Sequence, residues 1–289
     1  MDVVTVGDVM IDVRVEAGAL ARDGDVHGRV VVQPGGSAAN AAVWAAWAGA
    51  RTGLFGCVGD DVAGRVLREA LAERGVEAEL SVDADAPTGT MLVVHQAGER
   101  SMVAARGANA RLSAEDLPPT IRAGAVLVSG YLLLQRDSRP AALAALERAD
   151  APIVAVDPAS WPLVEAFGVE RFLEETAPVT AILANELEAR ILTGEEGEAA
   201  ARALGQRYAV ACVKLGARGA IVAADGELVE EVGERVEEID PTGAGDAFGG
   251  VFLASLVAGA SMAEALRLAC RAGALEASSA HAWPEGELT

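Results

Sequence analysis

Lysine is nearly missing from this chain of 289 residues: Lys214 is the only one, while arginine is abundant. Positive charge is scarce altogether, with 23 basic residues against 43 acidic ones and a formal net charge of −20. That balance argues against nucleic acid or an anionic membrane surface as a general partner. It leaves nucleotide binding open, because a nucleotide needs only a local anion trap. Cysteine is sparse too: Cys57, Cys212 and Cys270 lie far apart without metal-ligand spacing. Reduced thiols in a cytoplasmic protein are the expectation. No apolar run is long enough to span a bilayer. The segment Met1–Gly7 enters a strand pattern with no basic stretch before it, so no signal peptide is expected. A dinucleotide fingerprint, GxGxxG after the first strand, is also absent. Gly7-Asp8-Val9-Met10-Ile11-Asp12 stands in its place, and an oxidoreductase reading loses its main support. What remains is a chain that is 52% hydrophobic, enough for one large α/β domain or two small ones.

The most informative stretch present is Asp240-Pro241-Thr242-Gly243-Ala244-Gly245-Asp246-Ala247-Phe248-Gly249-Gly250. A strand-like run, Glu234 to Ile239, leads into it, and an Ala/Leu/Val-rich helix pattern, Ala247 to Ala258, follows. Two glycines flanking one alanine allow several backbone N–H groups to turn toward a common point. Unpaired amides and the positive end of a helix dipole then form an anion trap. Asp246 falls in the first helical turn, beside the place where an anion would lie. A carboxylate there repels a resting phosphate, so a task is implied: taking a proton from a hydroxyl that attacks phosphorus. The bland alternative is a glycine-rich turn followed by an ordinary first-turn acid.

Asp-Pro-Thr-Gly-Ala-Gly-Asp-Ala-Phe resembles the C-terminal signature of the ribokinase-like (PfkB) carbohydrate kinases. That resemblance makes Asp246 the catalytic base and Gly243, Ala244 and Gly245 the anion hole. A second stretch, Pro34-Gly35-Gly36-Ser37-Ala38-Ala39-Asn40, opens a helix whose Ala39, Ala42, Val43, Ala46 and Trp47 share one face. Gly-Gly-x-x-x-Asn is similar to the family's N-terminal signature, and this implies that Gly35, Gly36 and Asn40 contact the sugar. By the same resemblance Asp12 would hydrogen-bond sugar hydroxyls. On its own it reads as a turn acid beyond a strand end. Arg106 would face the substrate or serve as a solvated hinge residue.

Val13 to Gln33 alternates valines around a Gly/Asp-rich middle, and Thr88 to Ala105 carries a hairpin signal with Gly98 at its turn. In the family such segments form a lid over the sugar. From Ala123 the pattern alternates regularly between strand and helix: Ala125–Ser129, a helix near Arg139–Arg148, Ile153–Asp157, a helix near Leu163–Glu175, then Ala181–Ala184. Such alternation predicts a parallel, doubly wound sheet. Asn185-Glu186-Leu187-Glu188 is similar to the family's Asn-x-x-Glu motif, which implies that Asn185 reaches the nucleotide and Glu188 organises Mg²⁺ through water. The same four residues also read as an N-cap with first-turn acids. Lys214, Gly216 and Gly219, in a strand and turn that the family uses for ATP, are the remaining nucleotide candidates. Ala220–Glu238 reads as hairpin material, and Met262–Ser279 as a last amphipathic helix. The ending after His281 looks short and altered, which leaves a monovalent-cation site open.

The expectation is one ribokinase-like α/β domain over 1–289, a doubly wound, mostly parallel sheet with helices on both faces. A small β-lid is inserted at about 13–33 and 88–106. The implied function is ATP-dependent phosphorylation of a hydroxyl on a small sugar or sugar-like alcohol. A nucleoside kinase of the same fold, or a non-catalytic sugar- or nucleotide-binding regulator, are the alternatives. Met10, Ser37 and Tyr131-Leu132-Leu133-Leu134 depart from residues typical of ribokinases, so ribose is expected to be a poor acceptor. The open edges of the lid imply a homodimer.

Overall fold

The computed structural model describes residues 1–18, 23–96 and 99–284. Residues 19–22 of the first lid segment, and Gly98, expected at the hairpin turn, lie outside the described residues. Seven strands precede residue 106: β1 (Val3–Val6), β2 (Met10–Ala17), β3 (Arg29–Gly35), β4 (Thr52–Gly59), β5 (Val76–Asp83), β6 (Gly89–Gln96) and β7 (Glu99–Ala105). After them come β8 (Ile121–Arg122), β9 (Ala125–Ser129), β10 (Ala149–Asp150), β11 (Ile153–Asp157) and β12 (Ala181–Asn185). The last are β13 (Val210–Lys214), β14 (Ala220–Ala224) and β15 (Glu227–Glu231). Helices α1 (Ser37–Trp47), α2 (Val62–Glu73), α3 (Gly130–Leu133), α4 (Arg139–Arg148) and α5 (Trp161–Phe167) occupy the first part. Helices α6 (Val169–Glu175), α7 (Glu186–Thr193), α8 (Gly197–Gly205), α9 (Ala244–Val257) and α10 (Met262–Ala277) complete the chain.

Among the described residues the main sheet runs β15-β14-β13-β12-β11-β9-β1-β4-β5. It is parallel from β5 to β13 and antiparallel at β14 and β15. Side chains along its central strands divide by parity. Val126 and Val128 join Val154, Val156, Ile182 and Val213 in one core layer. Ala125 and Leu127 join Ala155, Leu183 and Cys212 in the layer on the opposite face. Both parities are apolar because helices cover both faces, which is why these strands read as continuous apolar runs. The chain leaves β1 in one direction to β4 and β5, and later returns beside β1 as β9 before proceeding to β13. This reversal opens a crevice at the carboxyl ends of the strands, where open α/β sheets hold ligands.

Among the described residues the two segments expected to form a lid make up a second, four-stranded sheet, β3-β2-β6-β7. β2 pairs antiparallel with β3 and parallel with β6, while β6 pairs antiparallel with β7. Its edge strands expose Val30 and Val32 on β3 and Met102 and Val103 on β7.

Several expectations are corrected. Glu234–Ile239 is not a strand: the backbone after β15 is irregular, and the amides of Ile239 and Asp240 donate to the Ala277 carbonyl at the end of α10. The helix near Leu163–Glu175 is two helices, α5 and α6, separated at Gly168, which has a φ of 100°. Asp12, beyond the end of β1, lies buried inside strand β2 and is not a turn acid on the surface. The three cysteines are free and buried. No helix among the described residues is long and apolar enough to cross a membrane.

Candidate active site

α9 begins sooner than its apolar pattern suggests, at Ala244, so Asp246 sits in its first turn. The N-cap is Gly243 in a left-handed conformation, φ 90° and ψ −13°. A Cβ there would come 2.9 Å from Oε1 of Glu276, so glycine answers to both conformation and space. Upstream, the Asp240 carboxylate accepts from the Thr242 amide at 2.9 Å and pairs with the Arg14 guanidinium at 3.2 Å. The Ala244 amide at the start of α9 donates to the Pro241 carbonyl at 3.2 Å, and the first turn of the helix with its dipole makes a local positive field.

Asp246 is held from the neighbouring helix: Asn40 Nδ2 on α1 donates to its Oδ2 at 3.0 Å. Desolvation pushes the Asp246 carboxyl up to about 7, against the Asn40 hydrogen bond and the charge of Lys214, with Asp157 and Asp12 adding to the rise. A carboxylate poised near neutrality, in contact with a cleft, is suited to accept a proton. Asp12 is itself buried in the lid, where desolvation pushes it up to about 6 although Arg14 opposes this. Gly35, across the β2–β3 pair, makes room for the Asp12 carboxylate, since a Cβ at Gly35 would collide with its Oδ2.

The carboxyl ends of β11, β12 and β13 bring a further group together. Lys214 Nζ donates to Asp157 Oδ2 at 2.5 Å. Burial opposes the lysine's charge, yet Asp157 and Glu188 outweigh it and hold the ammonium form firmly. Asn185 and Glu188 cap α7 reciprocally: the Glu188 amide donates to Asn185 Oδ1, and both Asn185 nitrogens donate to the Glu188 carboxylate. Burial and the nearby Asp157 raise the Glu188 carboxyl. Among the described residues no cluster of three or more acidic, histidine or cysteine side chains could hold a metal directly. Glu188, its oxygens already engaged, fits Mg²⁺ only through water and phosphate, which is the way this ion is commonly held.

Two hollows lie on either side of Gly245 at the start of α9. One, of about 440 Å³, is lined by Lys214, Gly216, Gly219, Phe248 and Ala274. The other is small and lined by Ser37, Ser129, Asp157 and Asp246. Gly245 borders both.

Other candidates have different surroundings. Arg106 is engaged within the protein: its guanidinium donates twice to the buried Asp8 carboxylate, at 2.6 and 3.1 Å, and once to Ser138 Oγ. It ties the end of the lid hairpin to the loop after β1. Leu132, Leu133 and Leu134 are packed in the core and line no substrate surface. Of that stretch only Tyr131 lies near the site, where burial and the charges of Asp246, Asp157 and Glu188 raise its phenol. The sequence reading missed Asp157, Arg14, Trp283 and Glu276. Asp157 could have been found from its place at the carboxyl end of a parallel strand. Trp283 and Glu276 carry no local signal, since only the packing of α10 and the segment after it brings them here.

Asp246 beside a glycine-rich helix start, a cavity of about 440 Å³ and a second β-sheet frame the site of a phosphotransferase with a hydroxyl acceptor. The sequence profile of the pfkB family carbohydrate kinases matches residues 1–283, and this chain belongs to that family. Among curated relatives, a ribokinase of Haemophilus influenzae is 29% identical over 253 residues, covering 83% of this chain and 80% of its own. A fructokinase of Klebsiella pneumoniae is 32% identical over 290 residues, covering 93% and 91%. Among solved structures, the adenosine kinase of Sinorhizobium meliloti superposes with a TM-score of 0.88 at 25% identity, over 99% of this chain and 96% of that one.

Proposed function

We propose that the chain transfers the γ-phosphoryl group of ATP to a hydroxyl of a small sugar or sugar-like alcohol, with Asp246 as general base. The observation that carries this reading is the shared wall: Gly245 borders both the large cavity and the pocket that holds Asp246. A phosphoryl group at the anion hole would stand between a nucleotide on one side and an acceptor on the other. As the acceptor oxygen attacks γ-phosphorus, its proton passes to Asp246, and the bond from phosphorus to the ADP oxygen breaks. Amides of Gly243, Ala244 and Gly245 hold the charge on the transferring group. Mg²⁺ would supply charge neutralisation on the phosphates, with Glu188, and Asp157 beside it, as the residues to hold it through water. Lys214, between Asp157 and the anion hole, would face the phosphates. Asp12 and Asn40 would meet acceptor hydroxyls, and the lid would exclude water that competes with the acceptor.

The edge strands of the lid support pairing with a second copy of the chain, because Val30, Val32 and Val103 are each at least 60% exposed on unpaired edges. The test of the catalytic reading is ADP release from ATP and Mg²⁺ across a panel of sugars and nucleosides, for the native chain and Asp246→Asn. Acceptor-dependent turnover lost in the variant is the expected result. No turnover with any acceptor would favour a binding protein, and a nucleoside as best acceptor would move the assignment within the fold.

A further inference from the structure

The Asn40 amide has one orientation imposed on it from behind. Trp283 Nε1 donates to Asn40 Oδ1 at 3.0 Å, in a buried hydrogen bond that spans 243 residues of sequence. An indole N–H can only donate, so the amide must turn its oxygen toward Trp283 and its nitrogen toward Asp246. Nδ2 is indeed the atom that reaches Asp246 Oδ2. Trp283 has little freedom of its own. It packs with Val9, Ala38, Ala39 and Val43 beneath α1. The segment that carries it is anchored by Arg14, which donates to the Ala280 carbonyl at 3.3 Å, and by Arg74, which donates to Pro284.

We propose that Trp283 is a positioning residue for phosphoryl transfer, acting through Asn40 to keep a hydrogen-bond donor on Asp246. This rests on the reading of Asp246 as the base. The physical consequence follows from what else surrounds that carboxylate. Asp157 at the end of β11 and Asp12 from the lid oppose its ionisation, and Lys214 at the end of β13 favours it; Glu276 on α10, itself pushed up to about 9, and the Tyr131 phenol face it uncharged near neutrality. Against two carboxylates, the Asn40 donor is one of two groups that keep the base ionised. Without the indole N–H, the amide can rotate about its last torsion and turn its oxygen to Asp246, which then holds a proton at higher pH. Asn40 therefore has a role the sequence did not indicate, as the link between the C-terminal segment and the base.

The experiment is Trp283→Phe, with kcat and kcat/KM measured from pH 5.5 to 9 alongside KM for ATP. Loss of one net hydrogen bond corresponds to a fall in kcat of roughly 3- to 10-fold, with the acidic limb moved up by about half to one pH unit. KM for ATP should stay within about twofold, since Trp283 borders no nucleotide wall. An equal loss at every pH, or an unmoved acidic limb in an active variant, would overturn the proposal and leave Asp246 as base untouched. An Asp246→Asn variant that keeps its activity would instead remove the base itself. Should Trp283→Phe fold poorly, benzothienylalanine at position 283, which puts sulfur in place of the indole N–H at nearly the same shape, makes the same comparison with the same deciding outcomes.

Discussion

Asp246→Asn separates the chemistry of the site from its architecture. The substitution keeps size and planarity, and asparagine can still present its oxygen to Asn40 Nδ2, the partner that Asp246 Oδ2 has at 3.0 Å. What faces the acceptor is then an amide that cannot take a proton. General-base catalysis contributes about 10²–10⁴-fold, and kcat should fall by that much. Because the native carboxyl is raised to about 7, native kcat should climb as pH rises through neutrality and level off above it, while the residual rate of the variant should be flat. Nucleotide affinity should hold or improve, by at most about tenfold, since a partly ionised carboxylate beside the phosphates is gone. Stability supplies an independent sign. A carboxyl raised in the folded state loses stability as pH rises from its unfolded value of 3.8 through about 7, so the variant should gain on the native chain above neutrality, by roughly 1–3 kcal/mol. A first-turn acid with no further role makes the opposite forecast: its loss would cost about 0.3–1 kcal/mol and leave turnover intact. Steady-state kinetics, ATP titration and thermal melts at pH 6 and pH 8.5 decide between the two. Near-native kcat in the variant would refute the mechanism.

Four further outcomes can be checked. Gly243→Ala places a side chain at φ 90° against Glu276, so it should destabilise by roughly 1–2 kcal/mol and reduce kcat more than KM, a split that equal losses in both would contradict. Glu276 is 1% exposed, and burial pushes its carboxyl up to about 9, so native stability should decline as pH rises from 4.5 toward 9. Glu276→Gln should flatten that decline by up to about 3 kcal/mol between pH 6 and 8.5, and parallel melting curves for the two proteins would disprove it. Val103→Asp on the edge of β7 should convert a dimer to a monomer in light scattering at micromolar concentration, and an unchanged mass would place any interface elsewhere. Ribose should be a poorer acceptor by kcat/KM than some other sugar or alcohol in the panel, an expectation that now rests on Met10, Ser37 and Tyr131 because Leu132–Leu134 are core residues.

What the sequence determined by itself is what local chain chemistry dictates. The glycine-framed start of α9 was legible because Gly243 answers to a left-handed backbone conformation three residues before Asp246, and the local sequence is enough to specify it. Strand and helix alternation was equally plain, since a two-sided parallel sheet demands apolar runs such as Val126–Val128 and Val154–Val156 whatever the rest of the chain does. Strands β2 and β3 of the second sheet followed from alternating valines. Tertiary structure decided everything that depends on two distant side chains sharing one space. Arg106, a substrate candidate on paper, is claimed by Asp8, 98 residues away. Asn40, expected to meet the sugar, is oriented by Trp283 and donates to Asp246, 206 residues on. Lys214, the sole lysine, closes on Asp157, which the motifs did not single out. Such pairings are set by which strand ends and helix faces the topology brings together, and periodicity along the chain carries no record of that.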